Sequence, residues 1–133
     1  MSEIGAIPED LRYSREHEWI RVQGGEVEVG ITAYAANALG DVVFVELPGS
    51  GTRLTMGKPF GVVESVKSVS DLFSPVTGLV SGVNKALEES PELVNEAPYE
   101  RGWMIRITPD HPEEIHQLLN AAEYRALLSG ASQ

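Results

Sequence analysis

The sequence predicts a mainly β protein, a sandwich or flattened barrel of short strands with a few short helices. Runs rich in apolar and β-branched residues recur at strand length. Glycine and proline punctuate them, and only the C-terminal stretch keeps sustained helical spacing. With 133 residues and 42% hydrophobic composition, the chain can bury a real core and suits one domain over residues 1–133.

Residues 1–10 have no strong pattern and read as a loose leader. Trp19 to Val22 and Glu26 to Ile31 alternate apolar and polar residues around Gly24-Gly25, which reads as a hairpin. Thr32 is a suitable helix N-cap, Ala33 to Leu39 is alanine-rich, and Gly40 fits a C-terminal stop. One short helix is expected there. Asp41 to Leu47 is a strand candidate ended by Pro48-Gly49-Ser50-Gly51. Phe60 to Ser65 and Val69 to Phe73 are two more, and Ser74-Pro75 breaks the run. Val76 to Val83 continues the β pattern, Glu88 to Asn95 reads as a turn or short helix, and Trp103 to Ile107 as a closing strand. Residues 110–129 hold two helical segments, Pro112 to Leu119 and Ala122 to Leu128, with Asn120 placed to cap the second.

Composition narrows the chemistry. There is no cysteine, so disulfides, thiolate nucleophiles and Cys-based zinc sites are excluded. His17, His111 and His116 lack the spacing of paired metal ligands, and no metal site is expected. Twenty acidic against ten basic residues give a formal charge of −10, which argues against nucleic acid and anionic membranes. The same charge permits steering towards basic docking faces on protein partners. No stretch reaches membrane-spanning length, and residues 1–10 resemble neither a signal peptide nor a transit peptide. A cytoplasmic protein is expected, with a mature organellar protein as the alternative.

The informative segment is Gly61 to Asp71, which reads as strand, tight bend, strand, with Val66-Lys67 at the bend. Burying a lysine charge in a sheet core is costly, whereas at a hairpin tip the stem carries the amine into water. Alone, Lys67 is one surface lysine among others. Its context is more specific: Glu64 stands three residues before it and Gly78 eleven after, with Ser70-Asp71 and Ser74-Pro75-Val76-Thr77-Gly78 between.

The Glu64-Ser65-Val66-Lys67 segment resembles the lipoyl attachment site of the glycine cleavage system H proteins. The likeness extends to Tyr13-Ser14, His17-Glu18-Trp19, Val29 to Thr32, Leu39 to Pro48, Gly51, Asn84, Pro91, Leu93-Val94-Asn95, Pro98-Tyr99 and Gly102-Trp103-Met104. It covers roughly residues 11 to 128. Biotin carriers share the general fold but favour methionine on each side of the lysine, where this chain has Val66 and Ser68.

The resemblance implies a hammerhead fold, the flattened β-barrel sandwich of the biotinyl-lipoyl carrier type, with the lysine at a turn. It implies a non-catalytic carrier with lipoate held covalently as an amide on Lys67, which supplies the sulfurs that the sequence lacks. The implied partners are a pyridoxal-phosphate glycine decarboxylase (P protein), a tetrahydrofolate-dependent aminomethyltransferase (T protein), a dihydrolipoamide dehydrogenase (L protein) and a lipoylating enzyme. The carrier would take the aminomethyl group of glycine from the first to the second and present the reduced arm to the third.

By resemblance, Glu18 and Asp71 line the groove that holds the loaded arm, and Glu64 and Gly78 are read during lipoylation. Each has a plainer reading: a strand-edge carboxylate for Glu18, a turn cap for Asp71, a surface charge for Glu64 and a β-bulge glycine for Gly78. His17 reads equally as a buried, hydrogen-bonded histidine. Glu16 stands where the family often has a small polar residue, and Ala38 where some members carry histidine. Trp19, Trp103, Tyr13 and Tyr99 are assigned to packing.

A lipoyl domain serving a 2-oxoacid dehydrogenase is one alternative, but no Ala/Pro-rich linker appears and the Tyr13 to Trp19 and Pro112 to Leu128 segments do not suit it. A relay passing lipoyl groups to other carriers is another. A stand-alone enzyme is a third; its best triad would pair a serine with His17 and an acid, and the lack of a Gly-x-Ser-x-Gly elbow weakens it.

Overall fold

The computed structural model describes residues 5–130. Nine strands run in order: β1 (Arg12–Tyr13), β2 (Glu18–Gln23), β3 (Glu26–Ile31), β4 (Val42–Glu46), β5 (Arg53–Leu54), β6 (Pro59–Ser65), β7 (Val69–Phe73), β8 (Gly78–Val83) and β9 (Ile105–Pro109). They form two antiparallel sheets: a six-stranded one ordered β1-β2-β3-β9-β8-β5 and a three-stranded one ordered β4-β6-β7. Helices α1 (Ala33–Leu39), α2 (Ala86–Glu89), α3 (Leu93–Glu96) and α4 (Ala121–Leu128) and a 3₁₀ turn at Pro112–Gln117 connect and close them.

The mainly β sandwich expected from the strand pattern is the observed fold. The sheets are open rather than joined into a closed barrel. Helix α1 and strand β7 fall at the residues the pattern gives. The strand expected from Val76 begins only at Gly78, and that expected from Trp103 runs from Ile105 to Pro109.

Two apolar clusters hold the layers together. The larger draws Val29 and Ile31 from β3, Val45 from β4, Val63 and Leu72 from the β6–β7 hairpin, and Ile105 and Ile107 from β9. The inward residues alternate along their strands, as a half-buried sheet requires. The smaller cluster joins Leu11, Tyr13 and Trp19 to Ala121 and Tyr124 of α4. There the Tyr13 and Tyr124 rings stack at 4.6 Å with 6° between planes. Such a pair adds roughly 1 kcal/mol beyond the area it buries.

The described segments nearest each end, residues 6–8 and 120–123, are tied to this scaffold. Asn120 Oδ1 accepts the Glu123 N–H at 2.8 Å and Glu123 Oε1 accepts the Asn120 N–H at 2.9 Å, a reciprocal cap on α4. The segment read as a leader is described from residue 5, and there it is anchored. Tyr13 Oη donates to Pro8 O at 2.6 Å, Tyr99 Oη donates to Ala6 O, and Ile7 packs on the smaller cluster.

Candidate functional site

Lys67 is exposed at the tip of the β6–β7 hairpin. The bend has an unusual closure for its length. Two-residue hairpin loops usually need positive φ, which a β-branched valine resists, and neither Val66 nor Lys67 has it. Instead, the Ser65 N–H donates to Ser68 O at 2.8 Å, while Ser65 Oγ accepts the N–H groups of Lys67 at 3.3 Å and Ser68 at 3.1 Å. A serine hydroxyl thus replaces a backbone carbonyl as the turn acceptor.

A shelf supports the tip. The Val66 N–H donates to Asp41 O at 3.0 Å, just beyond the end of α1. Asn95 of α3 fixes that shelf: its Oδ1 accepts the Val42 N–H at 2.9 Å and its Nδ2 donates to Gly40 O at 2.8 Å. Gly40 itself has φ 83°. The Lys67 stem passes close over it, and the absence of a side chain at Gly40 leaves room for that passage.

Beside the hairpin runs a groove of about 310 Å³. One wall is α1, with Tyr34, Ala35, Ala38 and Leu39; the other follows the turn and β7, with Ser68, Ser70 and Asp71. Glu16, His17 and Glu18 also line it. β7 is the edge of its sheet, so one side of its backbone remains free to meet the groove.

Glu18 is 2% exposed, so the solvated strand-edge reading does not apply. Its Oε1 accepts the Ser14 hydroxyl at 2.5 Å and its Oε2 accepts the Phe73 N–H at 3.1 Å. Burial pushes its carboxyl up to about 7 despite those two bonds, which favour the anion.

His17 sits at φ 76°, alone among the described non-glycine residues in having positive φ. Its Nδ1 lies 2.8 Å from Tyr124 Oη, which is also 2.8 Å from Thr32 Oγ1. Thr32 Oγ1 in turn accepts the Ala35 N–H and caps α1. The histidine is therefore held by hydrogen bonds that link the C-terminal helix to the groove wall. Burial holds its imidazole below the usual histidine range.

Asp71 is exposed and pairs with Val62 across the hairpin. Glu64 is exposed, paired with Val69. The structure therefore brings Lys67, Glu64 and Asp71 onto one hairpin, with the Glu18 carboxylate bonded to the Phe73 N–H at its far end. Gly78 lies elsewhere, buried at the start of β8 between Leu54 and Pro109 in the six-stranded sheet. A Cβ there would overlap Thr108 O and stand 2.9 Å from Pro109 Cα. Sequence reading did not single out Ser65 or Asn95 for positioning the tip. Both lie inside quoted motif segments, but their hydrogen bonds to the turn and to the end of α1 appear only in the folded chain.

The model of the glycine cleavage H-protein family matches residues 11–131. A glycine cleavage system H protein of Geobacillus thermodenitrificans is 52% identical over 122 residues, spanning 92% of this chain and 96% of its own. That of Magnetococcus marinus is 55% identical over 127 residues, spanning 96% and 91%. The crystal structure of a glycine cleavage system H protein from Mycobacterium marinum superposes with a TM-score of 0.85 at 41% identity, covering 93% of this chain and 99% of that one.

Proposed function

The chain belongs to the glycine cleavage H-protein family, and on that premise we propose that Lys67 is its lipoyl attachment point and that the chain serves as a cytoplasmic carrier. The observation that carries this reading is an exposed lysine on a braced hairpin tip, next to a groove with one largely apolar wall, one polar wall and a buried acid.

The residues present fit such a group. Gly40 leaves a passage along the lysine stem, Ala35 and Ala38 leave the α1 wall low, and Ile31 and Leu39 offer apolar contact. A lipoyl amide would supply two sulfurs able to take an aminomethyl group from the P protein, yield it to the T protein and be reoxidised by the L protein. The chain itself supplies position. A tethered arm meets successive active sites at high effective concentration.

Glu18 and Asp71 are the proposed groove acids for a cationic amine, with the Glu18 carboxylate held against the Phe73 N–H of β7. A carboxylate that titrates near neutrality could hold the amine when ionised and release it when protonated. Glu64 is the proposed recognition residue for loading, since it shares the hairpin with Lys67. Gly78 is proposed to serve loading through the scaffold, by letting β8 lie against β9.

Intact-mass measurement on chain expressed with lipoate tests the attachment. One lipoyl group should be gained, mapped to Lys67, and lost in Lys67→Ala. A Lys67→Ala protein that still supports glycine decarboxylation would overturn the reading.

A further inference from the structure

The three-stranded sheet differs from its partner in charge and in exposed surface. Its strands carry Glu46, Glu64 and Asp71 and no basic residue. Arginines instead lie on the six-stranded sheet, as Arg12, Arg21, Arg53 and Arg106. The register sets Phe44 beside Glu64 and Glu64 beside Val69; one step along, it sets Glu46 beside Val62 and Val62 beside Asp71. Directly opposed residues share a face. The intervening Val45 and Val63 are buried, so both rows lie on the outer face, and at the edge strand Asp71 also borders the groove.

That face exposes apolar area where a soluble domain would ordinarily present polar groups. Phe44 is 51% exposed and Val69 64%, and Val66 at the tip is 70% exposed. Exposed apolar side chains set among charges mark an interaction site. Here they stand among Glu46, Glu64 and Asp71 and adjoin Lys67.

We infer that this outer face, the rows Phe44–Glu64–Val69 and Glu46–Val62–Asp71, is the docking surface for the acyltransferase that loads Lys67, a partner with an apolar strip edged by lysine or arginine. The inference rests on the carrier reading of Lys67. Loading is the step that demands close contact. The amine nitrogen must reach an activated acyl carbon and form the C–N bond, while the donor's leaving group departs and the amine loses a proton. The lysine stem alone spans that distance, so the enzyme must lie against the hairpin. Opposite charges at the rim speed encounter and set orientation.

The test uses the unmodified chain as acceptor for a lipoate ligase supplied with lipoate and ATP, with loading followed by intact mass. Phe44→Ser is expected to raise KM about tenfold with kcat within about twofold. Glu46→Lys is expected to raise KM and flatten its dependence on ionic strength. Acylation of Lys67 by a small activated ester should be unchanged in both, because the amine remains presented. Wild-type KM for both variants overturns the docking surface while wild-type loading on Lys67 leaves the carrier reading intact. No loading of wild-type Lys67 overturns the carrier reading itself. A wild-type dimer in sedimentation that Phe44→Ser dissolves assigns the face to a second copy and also overturns the inference. Should Phe44→Ser lose its β-sheet circular dichroism, Glu46→Lys and Val69→Ser decide by the same KM criterion.

Discussion

Lys67 crosses Gly40 so closely that a Cβ on the glycine would lie 3.3 Å from the lysine Cε. The same glycine sits at φ 83°, where a side chain is strained whatever the space. Gly40→Ala should therefore have two effects: a stability loss of about 1–3 kcal/mol in denaturant unfolding, and a slower acylation of Lys67 by a small activated ester under conditions where the variant is folded. Wild-type ester reactivity in the folded variant would show that the close passage does not position the amine.

Glu18 should make stability fall as pH rises. Its carboxyl is held at about 7 by burial, against 4.5 when free. The native state thus keeps its proton over a range in which the unfolded chain has lost it. The contribution is complete below 4.5 and is lost as pH climbs towards 7, to a total of about 3 kcal/mol. Glu18→Gln mimics the protonated form, able to accept from the Phe73 N–H and donate to Ser14 Oγ. Unfolding free energies of the two proteins should converge near pH 4 and diverge by pH 8, with the variant more stable. Parallel pH curves would refute the raised carboxyl.

Ser65 should govern order at the tip. Its hydroxyl takes two amide protons that no nearby carbonyl accepts at the bend. Ser65→Ala should cost about 1–2 kcal/mol. Hydrogen exchange should accelerate at the Lys67 and Ser68 amides more than at the Val63 amide, in the strand core. Unchanged protection at the tip amides would mean that the strand register alone sets the turn.

Much of this was legible in the sequence for local reasons. Thr32 before an alanine run and Gly40 after it mark α1, because capping and stop signals lie within a few residues of the helix they bound. The two short strand-like runs either side of Val66-Lys67 mark the hairpin in the same way. Strands β1 and β5, two residues each, carry no period of their own. They exist because β2 and β8 offer edges to pair with. The burial of Glu18 follows from β7 closing over it, and the acidic outer face follows from the β4–β6–β7 register; both depend on contacts distant in sequence. Asn95 joins α3 to Gly40 and Val42, more than fifty residues away.

That span makes Asn95 a sensitive point. Its amide satisfies the Val42 N–H and the Gly40 carbonyl together, so Asn95→Ala leaves both without this partner. A loss of about 2–4 kcal/mol is expected in denaturant unfolding. Since the shelf also holds Val66 through Asp41 O, the variant should show faster amide exchange at Val66. Asn95→Asp, which can accept but not donate, should keep the Val42 bond and recover part of the loss.

Gly78 separates a scaffold role from a recognition role. A side chain there would overlap Thr108 O and crowd Ile107 Cγ2, backbone and core that cannot move without opening the β8–β9 pairing. Gly78→Ala should therefore destabilise by roughly 3 kcal/mol or more, within the range for overpacked positions. The acyltransferase would meet the face around Lys67, whereas Gly78 is buried in the other sheet. Loading measured well below the variant's melting temperature should proceed at the wild-type rate per folded molecule. A rate depressed tenfold in fully folded Gly78→Ala would instead place this glycine among the features the enzyme reads, and the recognition surface would have to reach around the sandwich to β8.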